Sequence, residues 1–227
     1  MEVNLLHELL MYDQIGGYGI TTKSTRATLN YLKANESSID KLLIRIISEG
    51  GSVFEAKGII SAFKDFKQST GAKIEVVYDL YGASAATLIA QEIADTVYIQ
   101  PDAQILIHHL GANLYINKDN IDESSEFIKN ESKPFIEMYA KRMGVSYEKA
   151  DALMSENRWL KADEAIELGL VDAIYEGDQP NLEKITLYAS KVKESKGQDE
   201  LLVAQSIELL DKKVIELKAE SVLTKYR

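Results

Sequence analysis

The sequence contains no cysteine. That excludes a disulfide framework and any thiolate metal site, and it is compatible with a reducing compartment. Histidine is almost as scarce: His7, His108 and His109 are all there is, too few for a histidine-built metal centre. No apolar run reaches the length needed to span a bilayer, and the opening MEVNLLHELLMYD carries acids and lacks the basic-then-apolar order of a secretory signal. A cytoplasmic protein with no membrane partner is therefore expected. Positive charge is also in short supply, with 26 Lys and Arg against 36 Asp and Glu, a net charge of −10 and a pI near 4.9. A chain of that balance, with no basic cluster, is not built to bind nucleic acid. Phosphate loops, zinc spacings and nucleotide fingerprints are missing too, so no cofactor is expected.

What the chain does have is the content of an ordinary folded domain, 45% hydrophobic, with a regular alternation of patterns. TTKSTRATLNYLKANES opens on hydroxyl caps and places Ala27, Leu29, Leu32 and Ala34 near helical spacing. KLLIRIIS is a short β-branched run suited to a buried parallel strand. After EGGS, Val53, Ala56, Ile59, Ile60 and Phe63 mark a helix. KIEVVYDLYG predicts a second strand, SAATLIAQEIA a second helix, and TVYI and QILIHH two further strands. Such alternation predicts an α/β layered fold with a largely parallel sheet and ligands beyond the carboxyl ends of its strands. Both glycine turns, EGGS and YGAS, would sit at that edge.

Residues 118–143 turn polar and helical, with Pro134 expected to kink or restart the helix and Gly144 to stop it. SYEKADALMS and KADEAIELGL predict two short helices, begun near Ser146 and Asp163, and VDAIY a short strand. From about Gly177 the texture changes. Asp178, Gln179 and Pro180 predict a linker, and the amphipathic pattern beyond Gly197 predicts a helical extension that packs on the body or on another subunit. The expected division is a body at 1–177 and an extension at 178–227.

Three features bear on chemistry, and each alone has a plainer reading. Ser84, at a strand-to-helix junction, is in isolation a helix cap. His108 and His109, neighbours at a strand end, point to opposite faces, so at most one of them meets Ser84. The paired glycines of ISEGGSV make an ordinary turn, although glycines there also let backbone N–H groups face a cleft. Taken together they supply a nucleophile, a base and oxyanion donors on adjacent elements of one sheet.

ISEGGSVFEAKGIISAFKDFK, then YGASAAT, then PDAQILIHH, then NRWLKADEAIELGLVDAI resemble, in that order, the Clp protease proteolytic subunit (ClpP) family of serine peptidases. The likeness runs from about Leu10 to about Ile174 and is greatest to the ClpP-related head-maturation proteases of phages and prophages. It implies a ClpP/crotonase-like layered α/β fold of repeated β-β-α-type units. It also implies peptide-bond hydrolysis, with Ser84 as nucleophile, His108 as base, and the amides of Gly51 and Ala85 as the oxyanion hole. The family's acid falls on Asn157, which can orient an imidazole but cannot offer it a charge; Glu156 and Asp151 are the nearby carboxylates that could take the role. Glu49 stands where the family has proline, and the usual GxAAS motif is altered before Ser84. The family further implies a homo-oligomeric ring, commonly of seven subunits and often stacked in pairs through 119–143. Its partners would be polypeptide substrates, an unfoldase ATPase or a phage scaffold or capsid protein. A catalytically impaired structural ring and a crotonase-like acyl-CoA enzyme are the competing readings, the latter disfavoured by the missing basic patch for CoA phosphates.

Overall fold

The computed structural model describes residues 7–36, 38–111 and 117–177. Its centre is a mixed α/β arrangement with parallel strands in the order β1 (His7–Met11), β2 (Lys41–Ser48), β3 (Lys73–Ala83), β4 (Thr96–Ile99) and β7 (Ala173–Ile174). Seven of the eight residues of β2 are buried, as a parallel strand covered on both faces requires. The far end of β3 leaves β4 and pairs in parallel with β5 (Gln104–Leu106), which pairs antiparallel with β6 (Leu160–Lys161). The glycine turns lie at this end of the sheet, where Ser48 of β2 pairs with Gly82 of β3.

The helices follow from their stripes. In α1 (Thr22–Asn35) the buried face is Thr25, Leu29 and Leu32, while Ala27 and Ala34 are exposed. The α2 helix (Val53–Thr70) buries Ala56, Ile59, Ile60, Ala62, Phe63 and Phe66. The short α3 (Ala85–Ile93) buries all but two of its nine residues and forms the middle of the core. Ser146 caps α5 (Tyr147–Glu156) by accepting from the Lys149 amide, whereas α6 (Ala162–Glu167) starts after Lys161, one residue ahead of the expected Asp163.

Several expectations need correction. Pro134 neither ends nor restarts its helix: α4 runs from Ile121 to Met143. Proline deprives the Asn130 carbonyl of its donor, but both residues are exposed, so water can serve that carbonyl while Ile136, Tyr139 and Ala140 hold the inner face. Gly144 stops the helix in the left-handed conformation as expected (φ 65°). The strand QILIHH ends at Leu106, leaving both histidines beyond the ladder. Strands β1 and β6, too short and too polar to stand out, exist because neighbours pair with them. The expected extension at 178–227 lies outside the described residues.

One tie between helices gives a pH prediction. Glu55 of α2 accepts from both the Thr22 amide (2.7 Å) and the Thr22 hydroxyl (2.6 Å), closing the N-terminus of α1. These bonds, the hydroxyl's first, hold its carboxyl below the ordinary value of 4.5. A lowered folded-state value means stability that is present above 4.5 and lost as pH falls through the folded value. Glu55→Gln is expected to cost about 1–2 kcal/mol at pH 7 and to flatten the loss of stability below pH 4.5, read by urea unfolding across that range. An unchanged acid limb would refute the assignment.

Candidate active site

Strands β2 and β3 lie side by side, so the turns leaving them meet. Gly50 has φ 88° and Gly51 φ 144°, conformations that favour glycine. A Cβ at Gly50 would come within 2.5 Å of the Ala83 carbonyl oxygen and 2.7 Å of the Ser84 Cβ; one at Gly51 would come within 2.2 Å of the Ile15 carbonyl oxygen. The glycines are therefore what allows the two turns, and the chain through Ile15, to touch. Ile15 fixes the first turn by donating to the Gly50 carbonyl and accepting from the Ser52 amide, both at 2.8 Å. The amides of Gly51 and Ala85 have no backbone acceptor among the described residues.

Ser84 occupies the cap position of α3, but its side chain makes no cap hydrogen bond. Its backbone is at φ 55°, ψ −125°, where a non-glycine residue costs on the order of 1–3 kcal/mol. A cap residue would need neither the strain nor an unused hydroxyl, so the cap reading fails. The turn is braced from behind: Ser84 donates its amide to the Leu106 carbonyl (2.9 Å), and the Ser84 carbonyl accepts from the Thr87 amide (3.0 Å) and hydroxyl (2.7 Å). The Thr87 hydroxyl has one proton, spent on that carbonyl, so the Tyr139 hydroxyl 2.7 Å away is the donor to it. Burial pushes the Tyr139 phenol up, in spite of the Thr87 bond, which keeps it a neutral donor.

Gly51, Ser84, Ala85, His108 and His109 all line one cleft of about 230 Å³, whose apolar wall includes Val53, Leu88, Leu110, Phe135 and Tyr139. Among the described residues no lysine or arginine, the groups a CoA phosphate would need, lines it. A larger cavity of about 530 Å³, lined by Lys41, Glu75, Tyr98 and Tyr175 among others, lies toward the opposite ends of β2 and β3, and among the described residues no serine or histidine lines it. Among the described residues no group of three or more histidines and carboxylates could hold a metal ion.

The acid position is reached through β6. Gln104 faces Lys161 and Ile105 faces Leu160, the two pairs of the β5–β6 ladder, which stops short of both His108 and Asn157. Asn157 is the C-cap of α5, left-handed at φ 47°, ψ 48°, and exposed. The residue thus has a backbone task, since asparagine is among the few non-glycine residues that adopt this conformation readily. The other carboxylates are engaged elsewhere. Glu156 accepts from Arg158 Nε (2.6 Å), and Arg158 also grips Glu164. Asp151 faces His109, not His108, with Oδ1 3.6 Å from Nε2. Among the described residues no hydrogen bond joins Ser84, His108 and Asn157 to one another, although the first two share the cleft.

Sequence reasoning missed the brace behind Ser84. Thr87, three residues on, was visible as a hydroxyl; Tyr139, far along the chain, carried no local signal.

Fold and cleft together define an α/β protein that presents a strained serine turn to a glycine turn at the carboxyl ends of parallel strands. The Clp protease family model matches residues 9–178, about three quarters of the chain. Similar proteins include the chloroplastic ATP-dependent Clp protease proteolytic subunit 6 of Arabidopsis thaliana, 24% identical over 166 residues, covering 70% of this chain and 59% of that protein. The ATP-dependent Clp protease proteolytic subunit of Streptococcus pneumoniae (strain Hungary19A-6) is 25% identical over 161 residues, covering 70% of this chain and 80% of the relative. The chain belongs to the Clp protease family.

Proposed function

We propose that this protein is a serine endopeptidase that cleaves peptide bonds within a ring of identical subunits. The observation that carries the reading is Ser84 itself, strained and unused as a cap, in one cleft with His108 and the Gly51 turn. In the proposed reaction His108 takes the Ser84 hydroxyl proton as Oγ bonds to the substrate carbonyl carbon. The oxyanion is held by the Gly51 and Ala85 amides, both without a backbone acceptor among the described residues. Collapse breaks the C–N bond, and His108 gives its proton to the leaving amine. Water then attacks the acyl-serine by the same route, releasing the acid and restoring Ser84. Asn157 orients the imidazole from the β6 side, without contributing charge.

An extended peptide would add along the sheet edge beside the glycine turn, and the apolar wall of the cleft suits an apolar side chain next to the scissile bond. The motif resemblance to phage and prophage head-maturation proteases supports capsid or scaffold polypeptides as substrates. The names of the relatives, both subunits of ATP-dependent proteases, support an unfoldase as the alternative partner. The cytoplasm is the proposed setting; among the described residues no helix is long and apolar enough to cross a membrane.

A second reading, a structural ring without turnover, is favoured by Asn157 in the acid's place. Treatment with a small fluorophosphonate followed by intact-mass spectrometry and peptide mapping separates the two. One adduct on Ser84, absent from Ser84→Ala, is expected; a folded, assembled sample that takes no adduct would support the structural ring instead.

A further inference from the structure

The segment that carries His108 is poorly tied to the sheet. The ladder between β3 and β5 ends at Ala83 and Leu106, and the bond from the Ser84 amide to the Leu106 carbonyl is its last link. Ile107, 2% exposed, is still seated in the core. From His108 to Gly111 no backbone hydrogen bond to a described residue follows. Among the described residues, then, no backbone hydrogen bond fixes the stretch from which the imidazole projects.

One side chain in that stretch reaches a rigid element. His109 Nε2 lies 3.0 Å from the Ser155 hydroxyl and 3.6 Å from Asp151 Oδ1, two residues one turn apart on α5. Ser155 spends its own proton on the Asp151 carbonyl (2.9 Å), so the hydrogen in the contact belongs to His109 Nε2. That nitrogen is committed to α5 and cannot serve Ser84. The helix is firm at this point, with Ala150 fully buried and Met154 1% exposed. Its next landmark, Asn157, is exposed and makes no side-chain bond to a described residue.

We infer that His109, clamped to Ser155 and Asp151 of α5, is a positioning residue that holds the adjacent His108 in the cleft, taking over the anchoring that the uncharged Asn157 supplies only weakly. The inference rests on the proposed Ser84–His108 reading. It gives Asp151 a role through His109, in place of direct contact with the base. A glutamine at 109 can still donate to Ser155 and Asp151, whereas alanine cannot, and this difference makes the role testable by conservative rescue.

The experiment compares wild type, His109→Ala and His109→Gln as full-length proteins. It measures the rate of fluorophosphonate adduct formation on Ser84 and deuterium uptake in the peptide covering 104–111. The expected result is a slowing of about tenfold for His109→Ala with raised uptake, and for His109→Gln a rate within about threefold of wild type with normal uptake. Equal rates for wild type and His109→Ala would overturn the inference. So would an equal loss in both variants with unchanged uptake, since the imidazole and not its anchoring would then matter. If wild-type Ser84 takes no adduct, the peptidase reading fails by itself. Uptake then decides the positioning: a rise in His109→Ala that glutamine reverses retains it, and equal uptake in all three rejects it.

Discussion

Asn157→Asp is expected to accelerate acylation of Ser84 by roughly a hundredfold, less than the 10⁴ that the opposite replacement costs in a serine protease tuned around its aspartate. The gain comes from charge. In the proposed reaction His108 becomes an imidazolium as it takes the serine proton, and a carboxylate brought to that ring from position 157 would stabilise the state as an amide cannot. The same change should slightly weaken the fold. Residue 157 is left-handed and caps the C-terminal end of α5, where the helix dipole disfavours an anion by about 0.3–1 kcal/mol. Faster fluorophosphonate labelling with a slightly lower urea midpoint is thus the expected pair of results. A labelling rate equal to or below that of wild type would show that position 157 does not face the base in the working assembly.

Asp79→Ala is expected to cost about 3–5 kcal/mol, a large part of the stability of an ordinary domain. The reason is Arg45, which sits fully buried in β2. Its Nη1 lies 2.6 Å from Asp79 Oδ1, its Nε 3.4 Å from Glu8, and its guanidinium carbon 5.1 Å from the centre of the Tyr175 ring. Tyr12 donates its hydroxyl to the other Asp79 oxygen. Burial pushes the Asp79 carboxyl up, although the Tyr12 bond and the Arg45 charge pull the other way. The site thus tolerates its charges because they are paired, and removing Asp79 takes away the shortest of the Arg45 ion pairs and the acceptor of the Tyr12 hydroxyl. The double variant Arg45→Met/Asp79→Leu should recover part of the loss, since its apolar side chains need no partner while the Tyr12 hydroxyl still lacks its Asp79 acceptor. Urea unfolding of the single and double variants checks both statements, and a single variant within 1 kcal/mol of wild type would contradict the first.

Much of the scaffold was legible in the residues because it is local. The apolar run of KLLIRIIS, the period of VFEAKGIISAFKDFK and the glycine at 144 each specify an element through neighbours a few residues away. The errors have one origin. Pro134 stays inside a helix, β1 and β6 form from unremarkable sequence, and the strand before the histidines stops early, all because distant packing or pairing outweighs local preference.

The candidate site divides in the same way. Sequence alone determined which residue types stand at Ser84, His108, Gly50 and Gly51, and that an amide, not a carboxylate, occupies position 157, because spacing along the chain suffices for that. Tertiary structure decided that the Ser84 hydroxyl is not a cap, that His109 and not His108 meets Asp151, and that Tyr139 braces the serine turn through Thr87. Those facts depend on side-chain directions across strands and helices separated by tens of residues. A hydrogen bond is made or missed within a few tenths of an ångström, a distance that only the packed chain sets.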